Sequence, residues 1–275
     1  MPAESDPRQL LHRFGLRPNK RLGQNFMVDR RAVERIAAAA ELQPDDHVLE
    51  IGPGVGTLTG RLLELAGDVV AVELDSRMVA ALRELYGARP NLRLIAGDIL
   101  KVDPATLFAG PYKVVANVPY YITSAILRHL LEAAIRPTLI VLTVQKEVAQ
   151  RIVSTDRLSL LAISIQFYGR PTIAGYLPAG AFYPPPKVES AIIRIEVYPR
   201  PAVAVEDAEE FFRVVKAGFS APRKQLRNAL ANGLHLAPAQ IEAALRRAEI
   251  APTRRAETLA LAEWAALHKA LREPA

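Results

Sequence analysis

The amino-acid sequence predicts an α/β domain built on a parallel sheet, followed by a small all-helical domain. Between residues 47 and 144, short apolar runs alternate with longer stretches in which apolar residues recur every three or four positions. This alternation is typical of a parallel sheet with helices on both faces. After Pro199 and Pro201 every pattern is helical. We therefore place a domain boundary near residue 200.

Each predicted strand is a short apolar run with a polar or glycine residue near its end. These runs are HVLEIG (47–52), DVVAVEL (68–74), LRLIAG (92–97), KVVANV (113–118) and TLIVLTV (138–144). The stretches between them, such as 58–66 and 76–86, have helical periodicity. Two later runs, 160–169 and 191–198, lie too close to the Pro-rich segment 181–190 to continue the repeat. We expect them to form an antiparallel edge of the sheet.

Four helical patterns separated by proline or glycine follow the boundary. They cover residues 206–219, 222–232, 238–250 and 255–273. The chain is thus predicted to consist of a basic N-terminal arm (1–28), an α/β domain (29–200) and a helical domain (201–275).

Composition excludes several classes of protein. The 275 residues are 50% hydrophobic and 23% charged, which is too apolar for a generally disordered chain. The absence of cysteine excludes disulfides, thiolate metal sites and a cysteine nucleophile. The start lacks an apolar core of signal-peptide length, and no apolar run is long enough to span a bilayer. We expect a soluble, cytoplasmic protein with no membrane partner.

The net charge of +6 is concentrated in two places. Residues 8–35 contain eight basic and two acidic residues, and a second cluster has no acid between its members. The basic residues of this second cluster are Arg213, Lys216, Arg223, Lys224 and Arg227. Such patches favour a polyanionic partner such as nucleic acid. Charge alone is equally compatible with solvated helix faces.

Chemistry-bearing residues follow successive strands. Residues 50–56 (EIGPGVG) end the first strand and open a helix, a turn that brings backbone N–H groups close to a ligand. A glycine turn alone is common in α/β proteins. The next three strands, however, are followed or ended by Glu73, Asp98 and Asn117. Because ligands of open α/β sheets bind at the carboxyl ends of the strands, we predict a ligand site there.

This edge suits a ligand that contains adenosine. Glu73 is placed to accept hydrogen bonds from a ribose diol, and Asp98 from the exocyclic amine of adenine. Both NAD and S-adenosylmethionine carry these groups. The glycine spacing is G-x-G-x-G, and it differs from the G-x-G-x-x-G that seats a pyrophosphate. This difference favours S-adenosylmethionine.

The tetrad Asn-Val-Pro-Tyr (117–120) supplies chemistry that hydride transfer does not need. The exocyclic amine of adenine is a poor nucleophile because its lone pair is delocalised into the ring. The Asn117 amide oxygen and a backbone carbonyl can accept its two N–H bonds, so that the lone pair points at a sulfonium methyl. Pro119 stiffens the loop, and Tyr120 offers a face on which a flipped-out base can stack. No strong general base is required.

Further motifs lie along almost the whole chain: LGQNF (22–26), EIGPG (50–54), ELD (73–75), GD (97–98), NVPY (117–120), QKEV (145–148), FYPPPKV (182–188), SA (190–191), RK (223–224), LRN (226–228) and RAE (255–257). With these motifs the chain resembles the ribosomal RNA adenine dimethyltransferases, most closely the small-subunit enzymes of the KsgA/RsmA family. The resemblance implies a Rossmann-like S-adenosylmethionine-dependent methyltransferase domain and a helical rRNA-binding domain.

The resemblance also implies an activity. Two adjacent adenines, in a hairpin loop near the 3′ end of small-subunit (16S) rRNA, would each receive two N6-methyl groups during small-subunit biogenesis. The partner would be this rRNA or a 30S assembly intermediate. We expect a monomer, and no metal, because the five histidines are scattered without ligand spacing.

The implied site residues form three groups. The cofactor would contact Asn25, Met27, Gly52, Gly54, Glu73, Asp98 and Asn117. The catalytic pocket for the base would consist of Asn117, Pro119, Tyr120 and Phe182. The RNA would contact Lys20, Arg21, Lys187, Arg223, Lys224 and Arg227. Since Arg223 and Arg227 are four residues apart, we expect them on one helical face.

Three other functions remain open at the level of sequence. Antibiotic-resistance methyltransferases that modify an adenine of large-subunit rRNA share much of this core, although the PPPKV and RKxLRN stretches favour the small-subunit group. A ribosome-assembly or transcription factor with secondary catalysis would keep the same fold, and the intact acidic and amide residues argue against it. A dinucleotide-dependent oxidoreductase is disfavoured by the glycine spacing.

Overall fold

The computed structural model describes residues 6–273, and the chain divides into two compact units. The first, which we call the α/β unit, contains the residues up to Ala149 together with Pro171–Val197. The second, the helical unit, contains Gln150–Arg170 and the residues from Tyr198 onward. The chain thus leaves the α/β unit for the last time close to the predicted boundary. The functions assigned to the three sequence segments stay predictions.

The strands of the described chain are β1 Phe26–Met27, β2 His47–Ile51, β3 Asp68–Glu73, β4 Leu92–Ala96, β5 Lys113–Ala116, β6 Leu139–Gln145, β7 Gly169–Leu177, β8 Phe182–Tyr183 and β9 Ser190–Val197. The first five predicted strands are confirmed as β2 to β6 within a few residues. They form because β-branched residues pack on a buried, pleated surface. The pair β1 and β8 was not predicted; it joins the end of the arm to the Pro-rich segment.

The α-helices of the described chain are α1 Pro7–Arg13, α2 Arg30–Ala39, α3 Thr57–Leu65, α4 Ser76–Tyr86, α5 Thr123–Leu131, α6 Lys146–Val153, α7 Leu160–Tyr168, α8 Ala208–Phe219, α9 Leu226–Leu234, α10 Pro238–Arg247 and α11 Leu261–Arg272. Side-chain caps explain several starts. Asp29 accepts from the N–H of Arg31 at α2, and Asp75 accepts from the N–H of Arg77 at α4.

The main sheet has the strand order β4-β3-β2-β5-β6-β9-β7. Strands β2 to β6 pair in parallel, and β9 pairs with β6 in antiparallel orientation. From β2 the chain first builds outward to β4 and then returns to the other side of β2 with β5. The loops after β2 and β5 therefore diverge and leave a crevice at the carboxyl edge between these two strands.

The core of the α/β unit lies between the sheet and its helices. Strands β5 and β6 are almost wholly buried, as expected for strands covered on both faces. A separate small cluster docks the arm. Leu10 and Leu11 of α1 pack in it with Phe26, Val55 and Met78. The beginning of the arm is thus a helix that packs against the rest of the α/β unit, and it was not predicted from the sequence.

One predicted strand is wrong. Residues 160–168 form helix α7 because Ser159 caps it by accepting from the N–H of Ala162. Nearly every residue of this segment is apolar, and such a run does not distinguish a buried strand from a buried helix. The edge strand next to β9 is instead β7, which contains Pro171 and was not predicted. The predicted strand at 191–198 is confirmed as β9.

The helical unit has its own core. Phe167 of α7 stacks on Phe211 of α8, with 5.0 Å between ring centroids, and meets the edge of Phe212 at 5.1 Å. Trp264 of α11 is fully buried and stacks on Phe219. The four helices predicted after residue 200 are confirmed as α8 to α11. No helix among residues 6–273 is long and apolar enough to cross a membrane.

Candidate active site

The crevice at the carboxyl edge of the sheet holds a cavity of about 1070 Å³, including its opening to solvent. Strand ends line one side of it, and the last residues of the arm line another. The structure brings together here every cofactor residue that the sequence analysis named: Asn25, Met27, Gly52, Gly54, Glu73, Asp98 and Asn117. Pro119 and Tyr120 of the predicted base pocket line the same cavity.

The glycine turn needs glycine for two physical reasons. Gly52, Gly54 and Gly56 all have positive φ, a region that side chains with a Cβ rarely adopt. A Cβ on Gly54 would also lie 2.9 Å from the ring of Phe26, so the arm could not pack against this loop. A Cβ on Gly52 would meet nothing within 4 Å, which shows open space beside that backbone.

Glu73 is fixed at the tip of β3 by two backbone donors. Its Oε2 accepts from the N–H of Gly54 at 3.0 Å, and its Oε1 accepts from the N–H of Asp75 at 2.8 Å. Burial raises the pKa of Glu73, while these hydrogen bonds lower it. Each carboxylate oxygen can accept a further hydrogen bond. The carboxylate is therefore held in one orientation with capacity left for two adjacent hydroxyls of a ligand.

Glu50 is a second buried acid, on the neighbouring strand β2. It is 1% exposed and lines the cavity. Its Oε2 has no hydrogen-bond partner among the described residues. Burial raises the pKa of Glu50 to about 8, and the charge of Glu73 adds to this effect. At neutral pH this carboxyl is thus largely protonated.

Asp98 follows β4 at the same edge. Its Oδ1 accepts from the N–H of Leu100 at 3.0 Å and caps the short 3₁₀ turn Ile99–Lys101. This bond fixes the side chain beside the cavity. The second oxygen is available to accept from a ligand amine.

Asn117 follows β5, and its carboxamide is held at both ends. Nδ2 donates to the backbone carbonyl of Asn25 at 3.0 Å, and Oδ1 accepts a short hydrogen bond from the hydroxyl of Thr143. The first of these bonds links the arm to the sheet. The second orients the amide oxygen that the predicted chemistry needs.

Tyr120 is held in a similar way. Its phenol is 2.5 Å from the hydroxyl of Ser190, which is fully buried on β9. Burial raises the pKa of Tyr120, so the phenol stays protonated at neutral pH. The ring is half-buried and lines the cavity. Next to it, Tyr121 is 66% exposed and also lines the cavity; a Cβ on Gly23 would lie 3.2 Å from its ring.

The arm is tied to the sheet by a chain of polar contacts. Gln24 accepts from the N–H of Asn19 at 2.8 Å and donates to Asp75 at 3.3 Å. Asp75 also binds the guanidinium of Arg77, whose hydrogen bonds lower the pKa of that carboxyl. These contacts position Asn25 and Met27 over the cavity.

Other predicted site residues lie elsewhere. Phe182 is 2% exposed in the core of the α/β unit and does not line the cavity; its backbone pairs with Met27. Lys187 and Arg21 are exposed. The side chain of Lys20 lies outside what the structure describes.

In the helical unit, the three predicted RNA contacts differ from one another. Arg223 and Lys224 are exposed in the turn before α9 and form no ion pair among the described residues. Because α9 begins at Leu226, Arg223 and Arg227 do not share a helical face, and that expectation is wrong. Arg227 donates to Glu242 at 2.7 Å, so its charge is partly neutralised.

Some residues that support the site were not recognised from the sequence. Thr143 was given no role, and Gln24, Glu50 and Ser190 were noted only as parts of motifs. The one available signal was a hydroxyl in the otherwise apolar run LIVLTV, because a polar group in a buried strand requires a partner. Within residues 6–273, no group of three or more His, Asp and Glu is placed to hold a metal ion.

Comparison with known proteins identifies relatives of this chain. "Ribosomal RNA small subunit methyltransferase A" of Dehalococcoides mccartyi (strain ATCC BAA-2266 / KCTC 15142 / 195) is 48% identical over 261 residues, which cover 94% of this chain and 89% of the relative. The protein of the same name from Moorella thermoacetica is 44% identical over 275 residues, 95% of each chain.

Two solved structures are similar in fold. The crystal structure of a dimethyladenosine transferase from Plasmodium falciparum has a TM-score of 0.74 at 26% identity and covers 88% of this chain and 95% of its own. That of the 23S rRNA methyltransferase ErmE has a TM-score of 0.71 at 30% identity and covers 90% of this chain and 100% of its own. The predicted Rossmann-like methyltransferase fold with a helical C-terminal part is thus confirmed.

The family model described as "Ribosomal RNA adenine dimethylase" matches residues 15–273. That match includes the last part of the arm, all the strands around the cavity and the helical unit. It also includes the turn, the acidic strand ends and the Asn-Val-Pro-Tyr tetrad that meet at this cavity. The chain therefore belongs to the ribosomal RNA adenine dimethylase family.

Proposed function

We propose that the protein transfers methyl groups from S-adenosylmethionine to N6 of two adjacent adenines in the 3′-terminal hairpin loop of small-subunit (16S) rRNA. Each adenine receives two methyl groups during small-subunit biogenesis. The observation that carries this proposal is the Asn117 carboxamide, held at two points beside a cavity with two acidic strand ends. The names of the relatives at 44–48% identity support the choice of subunit.

The residues of the cavity fit S-adenosylmethionine. Glu73 would hold the ribose hydroxyls, and Asp98 would accept from the adenine amine. The open space beside Gly52 would leave room for the rest of the molecule, and Glu50, whose Oε2 has no partner among the described residues, lines the same cavity. When bound, S-adenosylmethionine supplies a methyl group activated by a positive sulfonium.

The tetrad prepares the target amine. The amide oxygen of Asn117 accepts one N–H of the adenine amine, and a backbone carbonyl of the same loop accepts the other. This pair of hydrogen bonds favours a tetrahedral nitrogen with a localised lone pair. Tyr120 provides a ring face for the base, and Pro119 keeps the loop stiff. The alkylated amine is acidic, so its proton leaves to water. We assign Phe182 an indirect role, because it does not line the cavity and its backbone pairs with that of Met27, which does.

The basic residues bind the RNA backbone in this proposal. Phosphate contacts position the substrate, and the pocket selects the base. We assign this role to Lys20, Arg21, Lys187, Arg223, Lys224 and Arg227. We further propose that the protein acts as a monomer in the cytoplasm, on a 30S assembly intermediate.

Methylation of large-subunit rRNA is the second candidate, because the solved 23S rRNA methyltransferase ErmE covers 90% of this chain at 30% identity. The relatives named for the small subunit are considerably more similar. An assembly factor with secondary catalysis is less well supported, since the amide and acidic groups of the cavity are all in place.

Methyl transfer to isolated ribosomal subunits tests the proposal. Labelled S-adenosylmethionine is supplied with under-methylated small subunits, and large subunits are assayed in parallel. We expect label in the small subunit alone. Label only in the large subunit would move the protein to the second candidate. Cofactor binding without any label would favour the assembly factor.

A further inference from the structure

We propose that Thr143 is a positioning residue that sets the orientation of the Asn117 carboxamide. Thr143 lies on β6, next to β5, and is fully buried. Its hydroxyl donates a short hydrogen bond to Oδ1 of Asn117. Thr143 does not line the cavity, so it acts on the substrate only through Asn117. This inference rests on the proposed function of Asn117.

Two contacts together leave the amide one orientation. The backbone carbonyl of Asn25 can only accept a hydrogen bond, so the atom that faces it must be the Nδ2 of Asn117. The oxygen then faces Thr143, whose hydroxyl can donate. With both contacts in place, rotation about the bond to the amide group is blocked. With the Asn25 contact alone, the amide plane can tilt.

This orientation matters for the target amine. An amide oxygen can accept two hydrogen bonds, and Thr143 uses one of them. The other acceptor position is thereby fixed in direction, and the N–H of the adenine must meet it. Hydrogen bonds weaken steeply when they are misaligned, so a tilted amide would hold the tetrahedral nitrogen less well.

The sequence of β6 supports a specific role for this hydroxyl. The strand reads LIVLTVQ, and all its residues up to Val144 are buried. A hydroxyl at such a position is costly unless it is hydrogen-bonded, and valine would suit the strand equally well. The hydrogen bond to Asn117 is the compensating interaction that the structure shows.

Three variants test the proposal. Thr143→Val removes the donor and keeps the shape, and Thr143→Ser keeps the donor and removes a methyl. Thr138→Val is the matched control: Thr138 directly precedes β6, is exposed, and donates to the backbone carbonyl of Tyr112. For each we would measure kcat at saturating cofactor, the KM for RNA, the Kd of the cofactor and the Tm. The NMR signals of the Asn117 side-chain amide are a readout that does not require activity.

We expect Thr143→Val to lower kcat about tenfold or more, with less than about a twofold change in cofactor Kd. The Asn117 amide signals should shift and broaden. Thr143→Ser should restore both kcat and the signals even though it loses packing, and Thr138→Val should match the wild type.

Two results would overturn this inference. One is an unchanged kcat and amide spectrum in Thr143→Val. The other is equal loss in Thr143→Val and Thr143→Ser in step with Tm, which would show a packing role. All variants are compared with the wild type on whichever subunit the wild type methylates. An error in the proposed RNA substrate would therefore appear in the wild type itself and would not be confused with an error in the role of Thr143. If the wild type methylates neither subunit, the amide spectrum still decides between the two roles.

Discussion

The carboxamide of Asn117 is the group on which the chemistry of this site depends. Its nitrogen donates to the backbone carbonyl of Asn25, its oxygen accepts from Thr143, and the residue lines the cavity. Asn117→Ala should lower kcat for methyl transfer by about 10²- to 10³-fold, the usual cost of removing one such polar group from a transition state. Cofactor affinity should fall much less, because Glu73 and Asp98 remain.

The control for this change is Asn91→Ala. Asn91 also donates from its amide, but to the carbonyls of Leu63 and Ala66 outside the cavity. Single-turnover rates and cofactor titrations on both variants would separate chemistry from binding. A normal rate in Asn117→Ala would mean that the amide oxygen does not hold the reacting amine.

Through Glu50, the free energy of unfolding should depend on pH in the direction opposite to that expected for most acidic side chains. Its pKa is about 8 in the folded protein, well above the ordinary value of 4.5 that applies in an unfolded chain. Between these values the unfolded state is ionised while the folded state keeps its proton. The free energy of unfolding should therefore fall as pH rises, by at most about 1.4 kcal/mol per pH unit from this group.

The variant Glu50→Gln removes this dependence and keeps the size of the side chain. The free energy of unfolding of the variant minus that of the wild type should rise by a few kcal/mol from pH 5 to pH 8. Urea unfolding at both pH values measures the difference. A constant difference across this range would show that Glu50 is ionised in the folded state.

At the level of elements, helix α1 couples the start of the arm to the cofactor cavity. Leu11 is 3% exposed in the cluster that also contains Phe26 and Val55. Leu11→Ala should weaken this docking by about 2–5 kcal/mol, as for other buried leucines. Proteolysis within residues 14–28 should then become faster, and cofactor affinity should fall because Asn25 and Met27 lose their support.

The control is His12→Ala, on the exposed side of the same helix. Limited proteolysis with and without S-adenosylmethionine gives the comparison. Bound cofactor should protect the wild-type arm. Equal cleavage rates in Leu11→Ala and the wild type would show that α1 does not stabilise the arm.

The same elements show which features the sequence could reveal. Strands β2 to β6 and the residues at their carboxyl ends were predictable, because alternating strand and helix patterns leave few topologies and all parallel strands end at one edge. Helix α7 was not, since its apolar residues fit a strand equally well until Ser159 caps it. Thr143 and Ser190 were not predictable as partners of the tetrad, because strands brought together by tertiary pairing supply them.

For the whole molecule, the distribution of charge predicts how binding to RNA depends on salt. Arg223 and Lys224 are exposed and without an ion pair among the described residues, so both are free to bind phosphate. Replacing both by alanine should weaken RNA binding. It should also reduce the magnitude of the slope of log binding constant against log salt concentration by about 1.4, at roughly 0.7 per phosphate contact of a single strand.

The control is Arg246→Ala, which removes one highly exposed charge, 3.7 Å from Glu242, from another helix of the helical unit. Titrations of a hairpin RNA at several salt concentrations would give both slopes. We expect the slope of Arg246→Ala to equal that of the wild type. A reduction of the slope in Arg246→Ala about half as large as that in the double variant, at roughly 0.7 per charge removed, would indicate attraction by net charge alone and no defined contact at Arg223 and Lys224.

In our proposal, the protein dimethylates two neighbouring adenines of small-subunit rRNA at the cavity that Asn117 lines. The most direct test is mass spectrometry of the 3′-terminal hairpin fragment after single reactions with the wild type and with Asn117→Ala. We expect two N6,N6-dimethyladenines per subunit with the wild type. With Asn117→Ala we expect almost none, even where titration shows bound cofactor. Dimethyladenine at full yield in Asn117→Ala would show that this amide is not needed for methyl transfer, and its absence from this fragment with the wild type would rule out the proposed substrate.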